Sequence, residues 1–364
     1  MNKKSSGYIL VLTLLVISVL TILVTQIFYQ SSSNLSLMNT LVNKEKAKIL
    51  ALSGIQLSID RLSVRLEKEN SESKKLEIPG TTRQGLGQAQ KKPETISSAS
   101  KLNKELLTRI LPVINKWQTV ELKESEDGIS GKLNICICCE NGKLNINKIY
   151  DFKKHQFVNS GQIKNDYLKL MQDFFKKMEV FADQKDVMQA FQGYLADRQF
   201  PLNETTELLN IKFGYFKENV FYRPSISGEK KQIFLTDLFT VWTQDNKLEP
   251  WLLSNSVQVL LGLDANQDNI EKRNQVVPDW ISKFKSSFDW SKDWNDILKP
   301  VYQREFTSLP HDLVGFLNST FTAKIFSVIS YGTVAGVTQK VYGILQLTTK
   351  NDAVEVSLKK LYWL

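Results

Sequence analysis

The sequence predicts an α+β protein: one long N-terminal helix packed on a small antiparallel sheet, with a large α-helical insertion interrupting that sheet. Three observations predict it. Tyr8 to Tyr29 carries no charged side chain, and from Ser33 to about Glu69 there is no proline and a single glycine, Gly54. Alternating, strand-like sequence is confined to two separated stretches, 117–147 and 324–358. The residues between them, 151–322, carry long helical periodicity, so the simplest closure returns the late strands to the early sheet.

Composition narrows the class. A chain of 364 residues has material for two or three domains. Its 42% hydrophobic and 23% charged residues exclude a disordered chain, a multi-pass membrane protein and a fibrous repeat. The 47 basic against 38 acidic residues leave +9, a mild surplus that permits an anionic partner without requiring nucleic acid. Two histidines, His155 and His311, argue against a metal centre built on imidazole.

The N-terminal elements follow in order. Residues 1–7 form a short basic stub with Lys3 and Lys4, ending at Gly7. Residues 8–29 read as a membrane span: about 22 residues at about 1.5 Å each reach roughly 33 Å, the thickness of the hydrocarbon core. The lysines place the stub in the cytoplasm and the rest of the chain outside it. A cleaved secretory signal is the competing reading; the apolar run is longer than a signal's, and no clean cleavage site follows it. Residues 30–69 continue as an amphipathic helix through Leu35, Met38, Leu41, Val42, Ile49, Leu52, Ile55, Ile59, Leu62 and Leu66. Residues 70–100, with Pro79-Gly80, Gly85, Gly87 and Pro93 and few large apolar side chains, read as a linker.

Residues 101–150 open the folded part. A short helix at 101–115 precedes strands at Trp117–Leu122 and Leu133–Cys138, and Asn141-Gly142 signals a hairpin whose return strand is Lys143–Asn147. Residues 151–322 form the helical insertion, with helices expected at Tyr167–Phe181, Val187–Leu195, Leu235–Trp242 and Ser254–Leu263. Its aromatic group Trp280, Phe284, Phe288, Trp290 and Trp294 reads as core or subunit contact. Residues 323–364 supply the closing strands.

Several stretches carry a family resemblance. Gly7 followed by Tyr8 and unbroken apolar sequence looks like the class III leader of type IV pilin-like proteins. Ala51-Leu52-Ser53-Gly54-Ile55 looks like an alanine-rich turn of their long helix, and Glu140-Asn141-Gly142-Lys143-Leu144-Asn145-Ile146-Asn147 is close to a strand motif of one branch. Ile325–Gly336 and the terminal Leu361-Tyr362-Trp363 extend the likeness to the far end. The chain resembles the large minor pseudopilins of the type II secretion system, the general secretion pathway protein K family. That resemblance implies a pilin-like fold and cleavage by a prepilin peptidase between Gly7 and Tyr8, with methylation of the new Tyr8 amine. It implies an inner-membrane anchor with the bulk of the chain in the periplasm. It also implies a place at the filament tip beside other minor pseudopilins, with no catalytic or nucleic-acid-binding role. Leu12 stands five residues into the mature helix, where major subunits carry a glutamate; a carboxylate there costs roughly 2.5–3.5 kcal/mol in lipid unless it is paired. A minor type IV pilin is the alternative of similar build, and a membrane-anchored enzyme is the alternative from another class. Some family members bind calcium in the helical domain, but Tyr194-Leu195-Ala196-Asp197-Arg198 departs from their acidic pattern, so no cofactor is expected and calcium stays open.

No nucleophile, nucleotide or zinc-protease motif is present. Gly128-Ile129-Ser130-Gly131-Lys132 has the wrong spacing for a phosphate loop and reads as a turn. Asp264-Ala265-Asn266-Gln267-Asp268 starts like a calcium loop but lacks its glycine and its terminal glutamate, having Asn269 and Gln275. Ser256–Leu263 reads as packing rather than a DNA-binding hairpin. Cys136 and Cys138 share one strand face and Cys139 the other, so buried thiols are expected, with a zinc site the weaker reading.

Overall fold

The computed structural model describes residues 5–65, 98–158, 167–182, 185–211, 233–263, 270–350 and 353–364. Helix α1, Ser5–Leu62, runs unbroken for 58 residues. At 1.5 Å per residue that is about 87 Å. Its first forty residues contribute no buried side chain; burial begins at Ala47 and continues through Leu50, Ala51, Ile55, Ser58 and Leu62. These recur at three- and four-residue steps, so one face of the upper half enters the core.

That face lies on a six-stranded sheet whose strands are β1 (Val64–Arg65), β2 (Trp117–Leu122), β3 (Gly131–Cys139), β8 (Ile325–Val334), β9 (Val337–Lys350) and β10 (Ala353–Trp363). Their spatial order is β1-β10-β9-β8-β3-β2, and every pairing is antiparallel. The late strands therefore close on the early ones through β3 and β8, with Cys136 opposite Ile329. Small residues let α1 approach. A Cβ on Gly332 would stand 2.3 Å from the Ala47 carbonyl oxygen and 2.6 Å from the Ala51 nitrogen. A Cβ on Gly54 would stand 2.1 Å from the Ser330 hydroxyl. The Ala-Leu-Ser-Gly-Ile turn is thus the contact through which helix and sheet meet backbone to backbone.

Three expectations shift. The amphipathic helix of 30–69 ends at Leu62: Ser63 leaves the helix, its carbonyl accepts from Arg109 Nη1 at 2.8 Å, and Val64 joins the sheet opposite Val354. A free sheet edge outcompetes the helical periodicity that points on to Leu66. Helix α2, Ser98–Ile110, begins within the stretch read as linker, whose residues 70–97 lie outside the described residues. The Asn141-Gly142 hairpin does not form. Glu140–Gly142 makes a 3₁₀ turn, β4 (Leu144–Asn145) pairs in parallel with β7 (Phe239–Thr240), and Ile146–Ile149 coils into a helical turn whose cap is Asn145. The chain therefore leaves the sheet at Cys139, and 140–150 go with the insertion.

The β2–β3 connection is a single helical turn, Glu124–Asp127, closed by Gly128 at φ 69°, so the phosphate-loop-like string is a turn followed by the start of β3. In the insertion, β5 (Tyr150–Asp151) and β6 (Gln156–Phe157) make a small ribbon. Helices follow at Tyr167–Ala182, Val187–Ala196, Asn255–Leu261, Ile270–Ser282 and Trp290–Ile297. The helix expected over Leu235–Trp242 is one turn, Leu235–Leu238, before β7. The aromatic group is core: Trp251 stacks on Trp280 at 5.2 Å and Phe288 on Trp290 at 4.6 Å. Ser256, Val257, Gln258, Leu260 and Leu261 are buried, as packing requires.

Gly332→Ala forces backbone apart and should destabilise the folded part by about 1–3 kcal/mol. Gly193→Ala, on an open helix surface with nothing within 4 Å of the new methyl, should leave stability unchanged or raise it by about 0.5–1 kcal/mol. Urea unfolding of the detergent-solubilised chain distinguishes the two; equal losses would contradict the close approach.

Candidate functional site

Among the described residues no group of three or more histidine, cysteine, aspartate or glutamate side chains is placed to hold a metal ion. What the structure assembles is an exposed apolar helix at one end and a buried polar joint at the other.

The lower half of α1 is the one helix among the described residues long and apolar enough to cross a membrane, and its most apolar window has a mean hydropathy of 2.6. The hydroxyls of Thr13, Ser18, Thr21 and Thr25 donate to Leu10, Leu14, Ile17 and Thr21 carbonyls at 2.8–2.9 Å, so none needs water. Gly7 and Tyr8 lie near the start of this helix, Tyr8 71% exposed, and Leu12 is exposed on its surface. The apolar exposure continues past Tyr29 through Leu35, Leu37, Met38, Leu41 and Val42.

The joint is the Glu140–Asn147 motif. A Cβ on Gly142 would lie 1.9 Å from the Leu252 carbonyl oxygen, so only glycine admits the 250–254 segment at this distance. The backbone of that segment is tied in as Glu249 N donates to Asn141 O at 2.7 Å and Ser254 N to Gly142 O at 3.1 Å. The chain returning to the sheet is tied to the same turn, because Lys324 N donates to Asn141 Oδ1 at 3.2 Å. Lys143 is buried; its ammonium meets the Glu140 carboxylate and donates to Thr236 O at 2.7 Å and Ser327 Oγ at 3.0 Å. Leu144 and Ile146 enter the core. Asn145 accepts from Asn147 N at 3.0 Å and donates to Thr243 O at 2.6 Å. Asn147 exchanges two hydrogen bonds with the Leu202 backbone, at 2.7 and 2.9 Å. Each polar side chain of the motif thus reaches a different, sequence-distant segment, and together they fasten the insertion to the sheet.

Electrostatics at the joint follow from burial. Desolvation works against the Lys143 ammonium, yet the adjacent Glu140 carboxylate outweighs it and holds the amine's pKa well above its ordinary value. Removing one member of such a pair costs about 3–5 kcal/mol because the other charge is left unpaired. Burial raises the Asp237 carboxyl, while Lys143 and the Ser256 N–H pull it back; its Oδ2 accepts from Ser256 N at 2.7 Å. Glu249 has no cation in contact among the described residues. Burial pushes its carboxyl from 4.5 to about 8, against the N–H groups of Thr322 and Trp251, so it is largely neutral at pH 7. Its Oε2 accepts from Thr322 N at 3.2 Å.

The remaining candidates do not converge on a site. Cys136, Cys138 and Cys139 are buried free thiols; the first two have Sγ atoms 3.8 Å apart, and burial raises Cys136 and Cys139 well above the ordinary thiol range. Arg198 pairs with Glu207 and donates to Tyr194 Oη at 3.0 Å, so the cation that breaks the acidic pattern braces the loop after Ala196. The calcium-loop-like Asp264–Asn269 lies outside the described residues. Glu249 and Asp237 escaped sequence reading; a signal existed in Phe234-Leu235-Thr236-Asp237-Leu238-Phe239, where one acid interrupts an apolar run.

No family model matches the chain, and no curated protein matches it by sequence. Among solved structures, this chain is similar to a chain in the crystal structure of the GspK-GspI-GspJ complex from the enterotoxigenic Escherichia coli type 2 secretion system. The two are 10% identical, the alignment covers 92% of this chain and 99% of that one, and the TM-score is 0.38.

Glu249 gives the joint a pH dependence with a definite sign. A carboxyl at about 8 when folded and 4.5 when unfolded binds more protons in the folded state between those values, so stability falls as pH rises through that window. Glu249→Gln removes this slope. Its stability relative to the parent should rise by an amount on the order of a few kcal/mol between pH 4.5 and 8. Chemical denaturation at several pH values measures it, and parallel curves would refute the neutral carboxyl.

Proposed function

We propose that this chain is a minor pseudopilin of the type II secretion system, of the general secretion pathway protein K kind. It is a non-catalytic subunit that caps a short periplasmic filament serving protein export. The observation that carries the reading is α1: one helix whose first part is exposed, apolar and long enough to span a bilayer, and whose last part is packed on an antiparallel sheet. Such an element is both anchor and handle, since pulling on the helix moves the folded head. The glycine before Tyr8 and the motif Gly142-Lys143-Leu144-Asn145-Ile146-Asn147 support the family, the latter by fastening the insertion that gives this kind of subunit its bulk.

The tip position follows from two features. Leu12 offers no carboxylate to a neighbour's N-terminal amine, so nothing in the span calls for a subunit above it. The insertion, nearly half of the chain, obstructs stacking on that side. The partners are other minor pseudopilins, joined through helix and head contacts, with the inner membrane holding the span before assembly. A prepilin peptidase removes residues 1–7.

Mass spectrometry of the protein from membranes of its native host tests the processing. The expected mature chain starts at Tyr8 and carries one methyl group on its amine, and Gly7→Val should leave the stub attached while the protein still enters the membrane. A chain that begins after Ser33, or one that keeps its initiator methionine beside an active peptidase, contradicts the reading.

A further inference from the structure

The two flanks of α1 differ. On the β10 side the sheet edge is blunted: β1 covers its start, and a register shift between Leu358 and Lys360 bulges the strand beside two lysines. On the β2 side the edge carries neither bulge nor lysine, and between it and α1 lies a groove of about 460 Å³ whose walls include Ile49, Ser53, Leu57, Val120, Leu122 and Ile129. Its charges, Lys46 and Asp127, are among the residues at its margin.

At about 100° per residue, Leu35, Met38, Val42 and Ile49 fall on one stripe of α1, and Ser53 continues it into the groove. These four apolar side chains are 51–64% exposed. The stripe starts at the membrane span and rises, without a charge on its own line, to the β2 flank. An element that covers it must leave the same bilayer, run parallel to α1 and present an apolar face. The run from Lys46 to Leu57 rises about 16 Å, three turns of helix. Leu35 to Ile49 adds about 21 Å below it.

We propose that the groove between α1 and β2 is the docking site for the N-terminal α-helix of a different protein anchored in the same membrane, seated on the β2 flank and not on the β10 flank. The proposal rests on the reading of α1 as a membrane anchor. The occupant's recognisable chemistry is an apolar helical surface directly following its own membrane span, with charge confined to the positions that meet Lys46 and Asp127.

Photo-crosslinking in membranes of the native host tests it, with benzoylphenylalanine placed at Ile49 or Val120 in the full chain and at Leu358 or Lys359 as flank controls. The expected adduct forms from Ile49 and Val120, and its crosslinked peptide maps within the helix that follows the partner's apolar span. Ser53→Asp, which puts an unpaired charge on the groove wall at an exposed position, should weaken that adduct by about tenfold or more without changing the melting of the head. Equal labelling of both flanks by membrane-anchored helices overturns the groove and leaves the pseudopilin reading standing. Labelling only by a second copy of this chain, or by a protein with no membrane helix, overturns the groove and the pseudopilin partnership together.

Discussion

A single helix meets two solvents, and the rest of the molecule is arranged around that constraint. Over its first part α1 has nothing to shield it from its surroundings; over its last part its side chains leave water altogether. No proline, glycine pair or bulge breaks it between the two regimes. Where it reaches the sheet it sits so low that Gly332 and Gly54 are the only tolerable residues at the contact, because main-chain and hydroxyl atoms already occupy the space a methyl would need. A helix this close to a strand cannot rock independently of it. Force or displacement applied to the exposed part is therefore transmitted to the head through backbone contact rather than through flexible side chains.

The head has a second seam, between sheet and insertion, and there the chemistry changes from apolar to polar. Hydrophobic burial is non-directional, so a core alone leaves several ways of seating one half on another. The Glu140–Asn147 segment supplies direction: Lys143 reaches Thr236 and Ser327, Asn145 reaches Thr243, Asn147 reaches Leu202, and Asn141 ties both Glu249 and Lys324. Buried ionic groups are a weak source of net stability. Their value here is register, since each contact is satisfied in one arrangement only. Glu249 shows the cost of that choice: a carboxyl held without a cation must be kept neutral by its surroundings.

Much of this was legible in the residues, and the failures have physical causes. The span, the strands 117–122 and 325–334, and the helices at 167–182 and 187–196 follow from periodicity, because there one face is buried and the other is not. The motif Gly142–Asn147 stood out, but its role did not. Asn-Gly between apolar runs has the local chemistry of a hairpin, and only tertiary partners nearly a hundred residues or more away convert it into a joint. Likewise nothing local marks Leu62 as the end of α1; the stop is set by an open sheet edge supplied by the last strand of the chain. Buried acids such as Asp237 and Glu249 are the least legible of all, since their burial depends on segments that sequence spacing does not bring together.

The account stands on α1 being anchor and structural helix at once, and protease protection in spheroplasts tests that most directly. With the outer envelope opened and the inner membrane intact, added protease should digest the head and leave a membrane-held fragment that contains the span from Tyr8 to Tyr29. A head that stays protected inside the cytoplasm, or one that washes off the membrane whole before any protease is added, would contradict it.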